Sequence, residues 1–127
     1  MIKSARILII ENNENLRRAY KRAFESANFV VSECPGGSEV ESIVDNNDFD
    51  IILSDSDLGA NKTAGYEIIQ KLKEKGKLEG TMIIGMSEHK SSLDNWKGVA
   101  DETLDKYGVN DITEAVKDAI KNYNSRR

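Results

Sequence analysis

The chain has 127 residues, enough to close a hydrophobic core without a metal or disulfide staple, and its 39% hydrophobic and 31% charged content is that of a folded domain, not a disordered tail. A net charge of -4 argues against a dominant nucleic-acid surface, which needs cations gathered on one face. The single cysteine, Cys34, excludes an internal disulfide, and no basic start followed by a long apolar run points to export or a membrane span. The expectation is one cytoplasmic domain over 1–127, with its core in about 5–123.

Ile7-Leu8-Ile9-Ile10 is an unbroken apolar run, the pattern of a strand buried on both faces, and Glu11-Asn12 follow it. Leu16, Ala19, Tyr20, Ala23, Phe24 and Ala27 keep the i, i+3, i+4 spacing of one buried helical stripe, with Asn13 suited to cap its start and Asn28 to the left-handed stop. The cations on that helix, Arg17, Arg18, Lys21 and Arg22, read as a solvated face. A second strand is expected at Phe29-Val30-Val31, with Cys34 as a small filler near its end and Gly36-Gly37 as a plain turn. Val40, Ile43 and Val44 make a short second helix.

Ile51-Ile52-Leu53 is the third strand and runs directly into Asp55-Ser56-Asp57. Ile68, Ile69 and Leu72 predict a third helix ending near Gly76, and Met82-Ile83-Ile84-Gly85-Met86 a fourth strand ending at Ser87. Between Ser91 and Trp96 only a weak helix is expected, with Trp96 packing inward; His89 has no Cys or second His near it and is assigned no metal. Thr103-Leu104 is a poorer fifth strand, before Lys106. The last helix is the best defined: Asp111-Ile112-Thr113-Glu114 fits a capping box, and Ile112, Ala115, Val116, Ala119, Ile120 and Tyr123 line its apolar face.

Five strands separated by helix-length crossovers predict an α/β fold, a doubly wound parallel sheet with helices on both faces. In such a sheet the carboxyl ends of the strands lie along one edge, so Glu11, Asn12, Asp55, Asp57, Ser87 and Lys106 converge there. Gathered carboxylates raise one another's pKa, and a divalent cation relieves their repulsion; Mg²⁺ suits because it takes oxygen ligands and keeps several waters. A lysine and a hydroxyl beside it would stabilise an added phosphoryl group.

This constellation resembles the receiver domain of two-component response regulators, over nearly the whole chain from Ala5 to Tyr123. The family carries an acidic pair after strand one, an aspartate after strand three, Thr or Ser after strand four and a lysine after strand five. The resemblance implies a flavodoxin-like strand order 2-1-3-4-5 and makes Asp55 the phosphoacceptor, since Ser56-Asp57-Leu58-Gly59 follows it in the family register. It implies Mg²⁺, weakly held by Glu11, Asn12, Asp55 and the backbone carbonyl of Asp57, with Ser87 and Lys106 stabilising the phosphoryl group. It also implies a sensor histidine kinase or phosphotransfer protein as donor, docked near Arg17, Arg18 and Arg22, and a downstream protein target on the face of the fourth helix, fifth strand and last helix. No membrane or nucleic-acid role is implied.

The sequence departs from the family pattern at several positions. Asn12 replaces an acid, Gly59 and Tyr107 replace prolines, Glu88 takes the small-residue position after Ser87, and Thr103 stands where an aromatic is common. These departures keep open a pseudo-receiver that works by phosphorylation-independent contacts. A third reading, a phosphohydrolase with Asp55 and Asp57 as nucleophile and acid, has Gly59 and the third-strand location against it.

Overall fold

A computed structural model describes residues 4–59, 64–88 and 93–126. Parallel strands β1 (Arg6–Ile10), β2 (Val30–Cys34), β3 (Ile51–Asp55), β4 (Met82–Ser87) and β5 (Glu102–Asp105) form one sheet in the order β2-β1-β3-β4-β5. Helices α1 (Glu14–Ser26), α2 (Glu39–Asn46) and α3 (Gly65–Glu74) make the first three crossovers, a 3₁₀ turn at Asp94–Trp96 stands between β4 and β5, and α4 (Ile112–Ser125) follows the last strand. This is the expected doubly wound sheet. His89 and the start of the weak helix expected at Ser91 lie outside the described residues.

Alternation along the strands divides the core in two. Leu8, Ile10, Ile52 and Ile83 face α2, α3 and Trp96, whereas Ile7, Ile9, Leu53 and Ile84 face α1 and α4 through Tyr20, Phe24, Val116 and Ala119. Strands β1, β3 and β4 are apolar on consecutive positions because both of their faces are covered. A buried Ile or Leu is worth ~1.5–3 kcal/mol, so this paired packing fixes the register that delivers the strand ends to a common edge.

The helix ends follow the local chemistry. Asn13 Oδ1 accepts the Leu16 N–H at 3.0 Å, and Asn28 adopts φ 70° beyond α1. Asp111 Oδ1 accepts from Thr113 N at 3.0 Å and Glu114 N at 3.4 Å. The capping box is therefore half made, because Glu114 pairs with Lys117 at 3.6 Å and does not return to the cap. The start of α3 needs a glycine: a Cβ on Gly65 would drive into the Asp55 carbonyl and Ser54 Oγ, so the helix lies directly against the end of β3.

Candidate functional site

Asp55 is the last residue of β3 and is 4% exposed. Its Oδ1 accepts the Ser56 N–H at 2.9 Å and its Oδ2 lies 3.1 Å from Lys106 Nζ. Burial, then the Glu11 charge, push its carboxyl up to about 6, against the opposing pull of Lys106 and the Ser56 N–H. An acid in this state is strained when ionised, and a group that disperses its charge is favoured.

Lys106, immediately after β5, supplies the nearest cation. Its Nζ lies 2.5 Å from Glu11 Oε1, 3.1 Å from Asp55 Oδ2 and 3.9 Å from Glu88 Oε1. Burial draws the ammonium's pKa down, but Glu11 and Asp55 outweigh it and hold the group above its usual value. The lysine is therefore charged and already aimed at the acid.

Glu11 is fully buried at the exit of β1, and its Oε2 accepts the Asn13 N–H at 3.1 Å. Its Oε1 meets the Lys106 ammonium and, with two lone pairs, keeps room for a further partner. A buried oxygen with spare acceptor capacity beside a second carboxylate is a donor set that suits a hard cation. The fit is partial: among the described residues no three His, Cys, Asp or Glu side chains cluster as a cage. Asn12 and Asp57 are exposed on the same cleft, which Glu88 and Tyr107 also line, so the remaining ligands would be neutral oxygens and water.

Ser87 ends β4, buried, and its carbonyl accepts the Lys106 N–H at 2.8 Å. The structure thus brings Glu11, Asp55, Ser87 and Lys106 to one sheet edge. Tyr107 is 75% exposed at the rim. The Asp105 carboxylate accepts its N–H at 3.1 Å and that of Gly108 at 3.3 Å, a side-chain turn that does for this loop what a proline could not, having no N–H. Gly59 adopts φ 113°, out of reach of a proline ring, and its N–H bonds Asp57 Oδ1 at 3.0 Å.

Three supporting residues carry no obvious mark in the sequence. Arg17 is not solvated as expected: its side chain is 13% exposed, Nη1 donates to the Glu11 carbonyl at 2.9 Å and Nε lies 3.5 Å from Glu33 Oε1. It ties α1 to the exit of β1 and so helps to fix Glu11. Tyr20, also buried, has its phenol pushed up to about 12, chiefly by burial. Ser56 joins Asp55 to β4 and to Trp96, whose indole N–H reaches the serine hydroxyl at 2.6 Å. Arg17 could have been singled out only by its place on the buried side of the α1 stripe, one residue after Leu16.

No curated protein sequence matches the chain significantly. Solved structures match closely in fold. A receiver domain from Methylobacillus flagellatus superposes with a TM-score of 0.78 at 16% identity, over 92% of this chain and 99% of that one. One from Methanospirillum hungatei gives 0.79 at 21% identity, over 98% and 100%. A response regulator of Thermotoga maritima, solved in complex with Mg²⁺ and beryllium fluoride, gives 0.72 at 22% identity, over 91% and 98%. Residues 7–117 match the response regulator receiver domain family, and with that match, the strand order and the acid-lysine edge in agreement, the chain belongs to the receiver domains of two-component response regulators.

Proposed function

We propose that this receiver accepts a phosphoryl group on Asp55 from a phosphohistidine of a sensor kinase or phosphotransfer protein and passes the change to a downstream protein. The observation that carries the reading is Lys106 Nζ, held between Glu11 and Asp55 on an open cleft at the sheet edge. An Asp55 carboxylate oxygen attacks phosphorus as the P–N bond breaks; the electron pair goes to the imidazole nitrogen, which takes a proton from solvent. Lys106 orients the carboxylate before transfer and pairs with a phosphoryl oxygen after it, and the Ser87 hydroxyl bonds another. Glu11, Asp55, the Asn12 amide and the Asp57 carbonyl would hold Mg²⁺, which supplies charge dispersal over the transferring oxygens. The cytoplasm, where kinase and donor chemistry reside, is the proposed location; among the described residues no helix is long and apolar enough to cross a membrane.

A second reading draws on Glu88. Its carboxylate, 3.9 Å from Lys106, competes for the cation that a phosphoryl group needs, and Asn12 brings no charge to a metal. Both features favour a receiver that works by contacts alone. Incubation with acetyl phosphate and Mg²⁺, read by intact mass, separates the two. A single hydroxylamine-sensitive phosphoryl, absent from Asp55→Asn, supports phosphorylation; no adduct at saturating donor supports the contact module. Rapid multiple turnover would instead revive a phosphohydrolase.

A further inference from the structure

A hydrogen-bonded node lies behind Asp55. The Ser56 N–H lies 2.9 Å from Asp55 Oδ1 and 2.9 Å from the Met86 carbonyl, shared between the two. The Ser56 hydroxyl donates to that same Met86 carbonyl at 2.6 Å and accepts the Trp96 indole N–H at 2.6 Å. Met86 precedes Ser87, so Asp55 and the strand end bearing Ser87 both act on Ser56, and Ser56 holds Trp96.

Trp96 is 1% exposed, yet it belongs to a 3₁₀ turn whose flanking side chains, Asp94 and Lys97, are 71% and 80% exposed. Its ring lies in a notch over Gly85, where an added Cβ would collide with the indole. Tyr66 meets the ring edge-on at 6.1 Å. The Trp96 carbonyl accepts the N–H groups of Val99 and Ala100, each at 2.9 Å, and the chain then enters β5 through Asp101, whose N–H bonds the Ile83 carbonyl at 2.8 Å. Side chain and backbone are thus held together, with the indole inside and the turn on the surface.

We propose that Trp96 is a lever that transmits the state of Asp55, through the Ser56 hydroxyl, to the exposed turn at Asp94–Lys97. The inference rests on the phosphoacceptor reading of Asp55. Converting that carboxylate to an acyl phosphate removes charge from the acceptor of the Ser56 N–H and weakens a charge-assisted bond. The shared N–H then falls to Met86, while movement of Ser87 toward the phosphoryl group draws the same carbonyl. Both displacements act on Ser56 Oγ. Because the notch over Gly85 leaves the indole no independent swing, the turn moves with it.

Trp96 is the only tryptophan in the chain, so its emission reports this node alone. The experiment follows fluorescence and intact mass together during acetyl phosphate treatment with Mg²⁺. Expected is an emission change that tracks the adduct, with at least half of it lost in Ser56→Ala although the adduct still forms. Adduct with unchanged emission overturns the lever and leaves the phosphoacceptor intact; equal emission changes in wild type and Ser56→Ala overturn it too, as a direct field effect. No adduct overturns both readings. Should Ser56→Ala fail to fold, Trp96→Phe keeps a ring in the notch and deletes the N–H. Coupling is reciprocal for binding free energies, so that variant should change the affinity for beryllium fluoride with Mg²⁺, a non-covalent mimic of the acyl phosphate, by at least about threefold, and an unchanged affinity overturns the lever.

Discussion

Neutralising Asp55 should stabilise the fold, and the gain should depend on pH. Burial and the Glu11 charge raise the carboxyl from 3.8 to about 6, so the folded state holds its proton more tightly than the unfolded chain does. The sign follows from linkage: stability contributed by the bound proton is fully present below about 3.8 and is lost as pH rises through about 6. At about 1.4 kcal/mol per pH unit the ionised carboxylate costs ~3 kcal/mol at neutral pH, and water reaching the cleft screens part of it. Asp55→Asn, which keeps an acceptor for the Ser56 N–H, should therefore be more stable than wild type at pH 7 by ~2 kcal/mol more than at pH 4. Urea unfolding of both proteins in EDTA at the two pH values measures this. A difference that is flat with pH, or that favours wild type as pH rises, would refute the claim that Asp55 is strained by its surroundings.

Removal of the Glu88 carboxylate by Glu88→Ala should free Lys106 for the phosphoryl group and speed adduct formation roughly two- to fivefold, the effect of ~0.5–1 kcal/mol from a half-exposed charge, read from an acetyl phosphate time course. Millimolar Mg²⁺ should raise the Tm of wild type but not of Glu11→Gln, and Asn12→Asp should tighten Mg²⁺ binding roughly tenfold, measured by calorimetry. Gly65→Ala should destabilise the fold by ~1–3 kcal/mol in urea unfolding, because its Cβ has no space against the Asp55 carbonyl; a neutral result would show that α3 can retreat from β3.

The parts of this molecule that the sequence discloses are those set by period and by strand ends. Unbroken apolar runs locate β1, β3 and β4 because each is covered on both faces, and the parallel crossovers then leave Glu11, Asp55, Ser87 and Lys106 with one edge to share. What the sequence withholds is which side chains hold that edge in place. Arg17 sits beside Arg18 with identical chemistry, and only the approach of α1 to the β1 exit makes one a buried clamp while the other pairs with Glu14 at 2.7 Å.

Gly85 shows where such information is encoded. A glycine inside a buried apolar strand sacrifices packing and invites a close neighbour, so it predicts an intruder without naming it. The intruder is the largest side chain in the protein, and its one polar atom needs a buried acceptor. Ser56, 40 residues away and next to the strained acid, provides that acceptor. Glycine, serine and tryptophan are thus three parts of one fitting, each unremarkable alone. Enlarging the glycine, deleting the hydroxyl or shrinking the indole leaves a clash, an unpaired N–H or a void beside Asp55. Glycine, serine and tryptophan together run from the buried end of β3 at Asp55 to the turn at Asp94–Trp96, so a change at any one of them is felt at the other two.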